Sequence, residues 1–154
     1  MESTSNDLRA IQILYKALLA GQILFLLISI LLVESGKFPP QVDLINVLLG
    51  VASILCMTGI IFGYALFKRK IADIKIEDDF TTRIGQYRAA SILQWSLSEA
   101  PALLCIVSYL LSASRLFWIP IAILLINFLY LYPSKTKIVQ QLQLNGEEEA
   151  RLGQ

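Results

Sequence analysis

The chain has 154 residues, and its composition is that of a membrane protein rather than a soluble domain. Hydrophobic residues make up 56% of it and charged residues 16%, against roughly 25% charged residues in typical soluble proteins. A net charge of +1 argues against a nucleic-acid-binding protein, which usually carries a basic face. The absence of histidine excludes His-based catalytic triads and most zinc and haem sites.

Four apolar runs, each bounded by charged residues, predict four membrane-spanning helices. In chain order they cover residues 13–33, 44–67, 89–113 and 116–133, and a tail follows at residues 134–154. Each run has about the 17–25 apolar residues that a helix needs to cross roughly 30 Å of hydrocarbon. Runs this long without period-two alternation favour helices, which satisfy their backbone groups internally. The sequence therefore predicts an all-α membrane protein with a single four-helix transmembrane domain.

The distribution of lysine and arginine predicts the orientation of these spans. Of the 13 basic residues, all but Lys37 and Arg115 fall in the N-terminal segment, in the loop between the second and third spans, or in the tail. Cytoplasmic segments carry such an excess of lysine and arginine. We therefore expect both termini and the central loop in the cytoplasm and the spans in the inner membrane.

The segments outside the spans carry weaker signals. In the central loop, Asp78 or Asp79 is a plausible N-cap for a helix that leads into the third span. The tail contains a short amphipathic piece with Ile138, Val139 and Leu142. We expect a solvated, partly frayed tail, and a docking segment for a partner is the alternative.

The first and third spans resemble each other in sequence. With an offset of 79 residues they align without a gap, and the less common matches are Arg9 with Arg88, Ala10 with Ala89 and Ser29 with Ser108. We interpret the chain as a duplicated helical hairpin packed as a bundle, with a pseudo-twofold axis along the membrane normal.

Small residues form stripes on the second and third spans. The stripes contain Ala52, Cys56, Gly59 and Gly63 in the second span and Ser98 and Ala102 in the third. Small side chains let helix backbones approach closely in lipid, where the hydrophobic effect does not hold helices together. We expect these helix-packing residues to join the two spans, either within one chain or between copies in a homo-oligomer.

Glu99 is the only acidic or basic side chain well inside a predicted span. A charged residue at mid-span lies about 2.5–3.5 kcal/mol uphill on insertion scales, so Glu99 is the first candidate for a functional residue. In the duplication its counterpart is Ala20, which leaves room for the carboxyl beside Gln22. Pro101 frees a backbone carbonyl near Leu97, which the carboxyl could also reach.

Two roles for Glu99 follow, and a contact with lipid or a partner is the third alternative. In the first, a protonated carboxyl hydrogen-bonds Gln22, a serine or the freed carbonyl and only holds helices together. In the second, Glu99 binds a proton or cation, with Gln22, Ser98 and Pro101 around it.

Two resemblances bear on this choice. Arg88, the segment Leu-Ser-Glu-Ala-Pro-Ala at residues 97–102, Val107 and Leu110 make the central hairpin, about residues 44–113, resemble the proteolipid c subunit of rotary ATP synthases. That resemblance implies proton or sodium binding at Glu99 and ring-forming oligomers. The whole chain resembles a small uncharacterised family of bacterial four-span inner-membrane proteins with a Leu-x-Glu-[Ala/Gly]-Pro-Ala segment, a resemblance that implies no activity.

The sequence offers no convincing acid–base pair, because it lacks histidine and the predicted spans contain no clustered carboxylates. We therefore expect no catalytic residue, cofactor or metal site. The predicted function is a multi-pass inner-membrane protein of accessory or interaction type. The alternative is a proton- or cation-coupled membrane subunit or small transporter working through Glu99. The expected partners are the lipid bilayer and either a second copy or another membrane protein, without nucleic acid.

Overall fold

Helices make up nearly all of the described chain. The structure, a computed structural model, describes residues 4–36 and 39–153, and the side chains of residues 8–36 and 39–152. Its helices are α1 (Thr4–Glu34), α2 (Ile45–Ala72), α3 (Phe80–Ser112), α4 (Trp118–Tyr130), α5 (Lys135–Leu142) and α6 (Gly146–Gly153). Short 3-10 turns at Val42–Leu44 and Arg115–Phe117 precede α2 and α4. Within the described ranges no strand is present, which confirms the all-α prediction; Lys37 lies outside them.

Three of the described helices, α1, α2 and α3, are long and apolar enough to cross a membrane. The fourth predicted span, residues 116–133, is less simple. Helix α4 has 13 residues, or about 20 Å at 1.5 Å per residue, which is short of the roughly 30 Å of hydrocarbon. Beyond Pro133 the chain turns by 70° into α5, whose N-cap is Ser134. The described chain thus has three candidate spans, or four if this bent pair is one span.

The long helices extend beyond the apolar runs at the end where basic residues gather. Helix α3 begins at Phe80, nine residues before the predicted span, and the Asp79 side chain caps it by accepting a hydrogen bond from the Thr81 amide at 3.2 Å. One of the two predicted caps is therefore confirmed. Hydropathy marks where a helix would leave hydrocarbon, whereas caps and turn residues decide where it ends.

Helix α3 is the centre of the bundle, and α2, α1 and α4 all pack against it. The most extensive contact is between α2 and α3, while α1 and α2 barely touch. The predicted pseudo-twofold arrangement of two like hairpins is therefore wrong for the described bundle. The reason is that the small-residue stripe of α2 pairs with α3 instead of with its own hairpin partner α1.

Helices α1 and α3 nevertheless bury equivalent positions under the 79-residue offset. The pairs in which both residues are buried are Ile11 with Ala90, Tyr15 with Gln94, Gln22 with Pro101 and Ser29 with Ser108. The two serines also behave alike, because each donates a 2.8 Å hydrogen bond to the carbonyl four residues earlier, of Phe25 and Leu104. The two helices therefore present matching registers to the core.

Helix α2 approaches α3 most closely at Gly59. A Cβ atom at Gly59 would lie 2.5 Å from the Leu97 carbonyl oxygen and 2.8 Å from Pro101 Cγ. Gly63, one turn on, has more room, since its Cβ would lie 3.5 Å or more from Gln94 and Leu97. The α2–α3 contact therefore requires a residue without a side chain at Gly59. The small-residue stripe of α2 packs against α3 of the same chain.

One end of the bundle, which we call the basic end, holds the start of α1, the end of α2 with Lys68, Arg69 and Lys70, the α2–α3 loop, and helices α5 and α6. A buried cluster joins these elements. Its members are Ile11, Tyr15, Phe67, Phe80, Ile84, Tyr87, Ala90, Trp95, Phe128, Ile138, Leu142 and Leu152. A second buried cluster, toward the opposite or outer end, includes Cys56, Cys105, Phe117 and Leu124.

The tail docks on its own chain at the basic end, so the expectation of a solvated tail is wrong. Arg83 at the start of α3 is buried and forms a 2.9 Å ion pair with Glu148 of α6. Its guanidinium also donates to the Leu142 carbonyl at the end of α5. The amphipathic α5 could be seen in the sequence, but this pairing across 65 residues has no local sequence signal.

Aromatic side chains connect α1 to α3 and α4 near the same end. Tyr15 stacks on Phe128 and meets Trp95 and Tyr132 edge-on, with ring centroids 5.1–5.5 Å apart. Its hydroxyl donates a 2.8 Å hydrogen bond to the Phe128 carbonyl. The Phe128 carbonyl also accepts a 3.0 Å hydrogen bond from the Leu131 amide, and the Tyr15 hydroxyl therefore joins α1 to the last turn of α4.

The outward faces of α1, α2 and α4 are apolar. Large side chains that are at least 59% exposed include Ile13, Leu24, Leu31, Val47, Ile54, Met57, Ile61, Ile119 and Ile126. Soluble monomers rarely expose apolar surface on this scale. Together with the lengths of α1–α3, this belt supports a membrane location.

Substituting Gly59 by alanine tests the α2–α3 contact. The new methyl would overlap the Leu97 carbonyl and Pro101, so we expect a loss of about 1–3 kcal/mol in the free energy of unfolding. Denaturant unfolding in mixed micelles measures it. Gly50→Ala is the matched control, because a Cβ there meets nothing within 4 Å and removes the flexibility of glycine. Equal effects of the two substitutions would contradict the contact.

Substituting Arg83 by glutamine tests the docking of the tail. Removing one partner of a buried ion pair costs about 3–5 kcal/mol, so we expect α5 and α6 to detach and become accessible to protease. Limited proteolysis with thermolysin measures the rate of cleavage in residues 134–153. Arg88→Gln, an exposed arginine on the same helix, should cleave like the unmodified chain. Unchanged protection of the tail in Arg83→Gln would refute the interaction.

Candidate functional site

The predicted site residues on α3 point to different sides of the helix. Ser98 faces α4, where its hydroxyl oxygen accepts a 2.8 Å hydrogen bond from the Asn127 amide. Pro101 is buried and faces α2 at Gly59. Glu99 lies between them in sequence but at the margin of the outward face of α3, next to the exposed Ala100. At about 100° per residue, Ser98 and Pro101 lie about 60° apart on the helix, whereas Glu99 lies about 100° from Ser98 and about 160° from Pro101.

Glu99 is partly exposed and forms no hydrogen bond or ion pair with any residue that the structure describes. Its exposed neighbours on the same face of α3 are Ser96 and Ala100. Helices α1 and α2 both pack against α3 but barely touch each other. Glu99 is therefore partly covered by its own chain and lies at the margin of the exposed face of α3.

Gln22 does not hydrogen-bond Glu99, so the interaction expected from the duplication is absent. The Gln22 side chain is fully buried, and neither its amide nitrogen nor its amide oxygen has a partner among the described residues. It belongs to the inward face of α1 with Tyr15 and Ser29. Gln22 is therefore in the interior of the bundle, Glu99 is at the margin of its exposed face, and no hydrogen bond joins the two side chains.

The backbone carbonyl that Pro101 frees, that of Leu97, contacts Gly59 instead of the Glu99 carboxyl. The Leu97 oxygen faces the backbone of Gly59, since a Cβ added there would lie 2.5 Å from it. A glycine at this point covers the carbonyl without a side chain. The predicted ion-binding group of Glu99, Gln22, Ser98 and Pro101 therefore does not assemble within one chain.

The helix-packing residues, in contrast, lie together. Ala52, Cys56, Gly59 and Gly63 are buried along one side of α2, and Ser98 and Ala102 are buried on α3. Cys56 and Cys105 are both buried and free, without a disulfide between them. Their role in this contact is to supply small side chains.

A polar groove lies between α2, α3 and α4 near the basic end. It consists of two adjoining cavities of about 130 and 80 Å³, which share Tyr64, Gln94 and Leu131 in their linings. Ser98 and Asn127 line the smaller, deeper cavity, and Lys137 lines the larger. The groove exists because α2 and α4 contact each other far less than each contacts α3.

Sequence reasoning missed Gln94 and Asn127, the two amide side chains of this groove. A search for charged residues inside apolar runs passes over amides. The available signal was that each stands in a run of otherwise apolar or hydroxyl-bearing residues. In hydrocarbon such an amide needs a hydrogen-bond partner much as a carboxyl does.

A third cavity, of about 640 Å³, opens at the outer end. Its polar and aromatic lining comes from Glu34, Tyr109, Arg115 and Trp118, with Tyr109 and Trp118 edge-on at 5.6 Å. Glu34 and Arg115 form no ion pair within 4.0 Å in the described part of the chain. The opposite charges leave this cavity without a preference for a cation or an anion.

Comparison with known proteins yields no relative from which a function could be transferred. No protein-family model, curated protein or solved structure matches the chain. In the residues that the structure describes, no group of three or more histidine, cysteine, aspartate or glutamate residues is placed to hold a metal ion.

The Ser98–Asn127 hydrogen bond is open to a direct test. Interhelical hydrogen bonds in membranes contribute about 0.6 kcal/mol on average, and at most roughly 1.7 kcal/mol. We expect a coupling of this size between Ser98→Ala and Asn127→Leu in a double-mutant cycle of unfolding free energies. Thr58→Val is the control partner for Asn127→Leu, since the Thr58 hydroxyl donates within its own helix to the Ile54 carbonyl at 2.8 Å. A coupling no larger than this control would disprove the bond.

Proposed function

We propose that this chain is a multi-pass inner-membrane protein that works by associating with a second copy or another membrane protein, and that it is not an enzyme. The observation that carries this proposal is the position of Glu99 at the margin of the exposed face of α3, without a polar partner among the described residues. The lipid bilayer is the solvent for the apolar belt. The partner completes the hydrogen bonding of the carboxyl.

The energetic argument concerns a carboxyl in hydrocarbon. Each buried polar group without a hydrogen bond costs several kcal/mol in lipid, and an ionised group costs more. Glu99 is about ten residues inside its predicted span, or about 15 Å along the helix, too deep for its short side chain to reach water. A chain that keeps such a residue on an outward face is stabilised when another protein covers that face.

The proposed topology uses four spans with the basic end in the cytoplasm. The fourth span is the 3-10 turn at Arg115–Phe117 followed by α4, together about 26 Å long, with α5 lying along the membrane surface. Lysine and arginine at the basic end support this orientation. The matched registers of α1 and α3 support an origin by duplication of a hairpin.

The alternative, a proton- or cation-coupled subunit or small transporter, uses the same residue differently. A carboxyl on the outer face of a helix can be enclosed by a neighbouring subunit and bind an ion there, as the resemblance to the proteolipid c subunit implies. The two functions diverge at Glu99→Gln, because an amide still hydrogen-bonds but cannot exchange a proton.

Site-specific photocrosslinking in native membranes tests the association. A photoreactive amino acid at Ser96 or Ala100, beside Glu99, should give a discrete protein adduct, whose mass distinguishes a second copy from another protein. The matched control is Ile54, which is 64% exposed on the outer face of α2 and should give mostly lipid adducts. Lipid adducts alone from all three positions would refute association through this face.

Two substitutions at Glu99 then separate the roles. Glu99→Leu should lower adduct formation by about threefold or more, the equivalent of losing one interhelical hydrogen bond, whereas Glu99→Gln should retain it. Ion coupling predicts in addition that carbodiimide modifies Glu99 in a pH-dependent manner. If the unmodified chain, Glu99→Leu and Glu99→Gln form adducts equally, Glu99 is not part of the interface.

A further inference from the structure

We propose that the polar groove between α2, α3 and α4 binds a single anionic phospholipid, with the phosphate at its mouth beside Lys137 and an ester carbonyl on its polar floor. The floor consists of Gln94, Ser98 and Asn127. This site is separate from the Glu99 face. It depends on the membrane location but not on association through Glu99.

The floor offers hydrogen-bond donors that the chain itself does not use. Gln94 is only 6% exposed, and its amide forms no hydrogen bond with the described residues. The Asn127 amide donates one of its two hydrogens to Ser98 and keeps the other. In a membrane, such donors are stabilised by an acceptor from a bound molecule.

The charge of the lining selects an anion. Among the described residues, Lys137 is the one charged side chain that lines either cavity, and no aspartate or glutamate of the described ranges lines them. Its ammonium donates to the Tyr130 and Tyr132 carbonyls at 2.7 and 3.3 Å and lies 4.9 Å from the Tyr130 ring centroid. These contacts hold the ammonium at the mouth and leave its third hydrogen for a phosphate oxygen.

The position of the groove suits a lipid rather than a water-soluble ligand. Its mouth is lined by Tyr64 and Tyr130, which are 61% and 73% exposed. The mouth therefore opens toward the surrounding bilayer. Asn127 lies three residues before Tyr130, or about 4.5 Å deeper along α4. Tyrosines gather at the membrane interface, so the floor lies just beneath the headgroups, within reach of a glycerol ester.

Lipid retention by the purified full-length chain tests this site. In native mass spectrometry from mild detergent, we expect one phosphatidylglycerol to remain bound per chain, with at least tenfold preference over phosphatidylcholine. Inorganic phosphate should neither displace the lipid nor raise the unfolding temperature, which separates a phospholipid site from a free-phosphate site. Equal retention of the two lipids, or stabilisation by free phosphate alone, would overturn the proposal.

Variants locate the lipid in the groove. Lys137→Gln should weaken phosphatidylglycerol binding about tenfold while Lys137→Arg retains it, and Gln94→Leu should weaken binding of both lipids. Lys135→Gln is the matched control, because Lys135 lies on the same helix but outside the groove lining and pairs with Glu149 at 3.8 Å. Glu99→Gln should leave retention unchanged, so the lipid site and the association can fail separately. Retention in Lys137→Gln equal to that in Lys135→Gln would place the lipid elsewhere.

Discussion

The close approach of α2 to α3 at Gly59 is the contact on which the rest of the bundle depends. In lipid, helices associate through packing and hydrogen bonds rather than through the hydrophobic effect, so a point where two backbones meet without a side chain between them is a strong determinant of arrangement. Gly59 meets α3 at Leu97 and Pro101, where the proline has removed a helical hydrogen bond and left a carbonyl to be covered. Once this side of α3 faces α2, the helical rotation dictates that Ser98 faces α4 and Glu99 faces outward.

The same contact explains why the bundle is centred on α3 and lacks twofold symmetry. Helices α1 and α3 bury matching positions, as expected for a duplicated sequence, but only α3 carries the proline that makes a place for glycine. The equivalent position on α1 is Gln22, whose long amide fills the interior instead. Two helices of a duplicated sequence can therefore bury equivalent positions while they pack against different neighbouring helices.

Much of the fold follows from the sequence. The features that could not be predicted from it have one physical cause in common. Hydropathy locates α1, α2 and α3, and Asp79 caps α3 as its residue type suggests. Local patterns do not reveal pairings between distant segments, such as Arg83 with Glu148 or Ser98 with Asn127. The position of Glu99 relative to the other helices depends on such a pairing. Only the contact of Gly59 with Leu97 and Pro101 shows which side of α3 faces α2, and hence which side is left exposed. Gln94 and Asn127 were visible as amides in apolar runs, but only the gap between α2 and α4 makes them parts of one groove.

A polar atom in hydrocarbon is stabilised by a hydrogen-bond partner, and the polar groups of the helical core differ in where they find one. Ser29 and Ser108 use their own helices, since a hydroxyl reaches the carbonyl four residues back. Ser98 and Asn127 use each other across two helices. Among the described residues Gln22, Gln94 and Glu99 have no hydrogen-bond partner. Gln22 lies in the interior, whereas Gln94 lines a groove and Glu99 lies at the margin of the exposed face of α3. Donors in a groove with a lysine at its mouth suit a small acceptor-rich anion such as a lipid headgroup, whereas a carboxyl on an extended apolar face suits another helix. The groove lined by Gln94 and the face that carries Glu99 are therefore the two places where this protein is expected to bind other molecules.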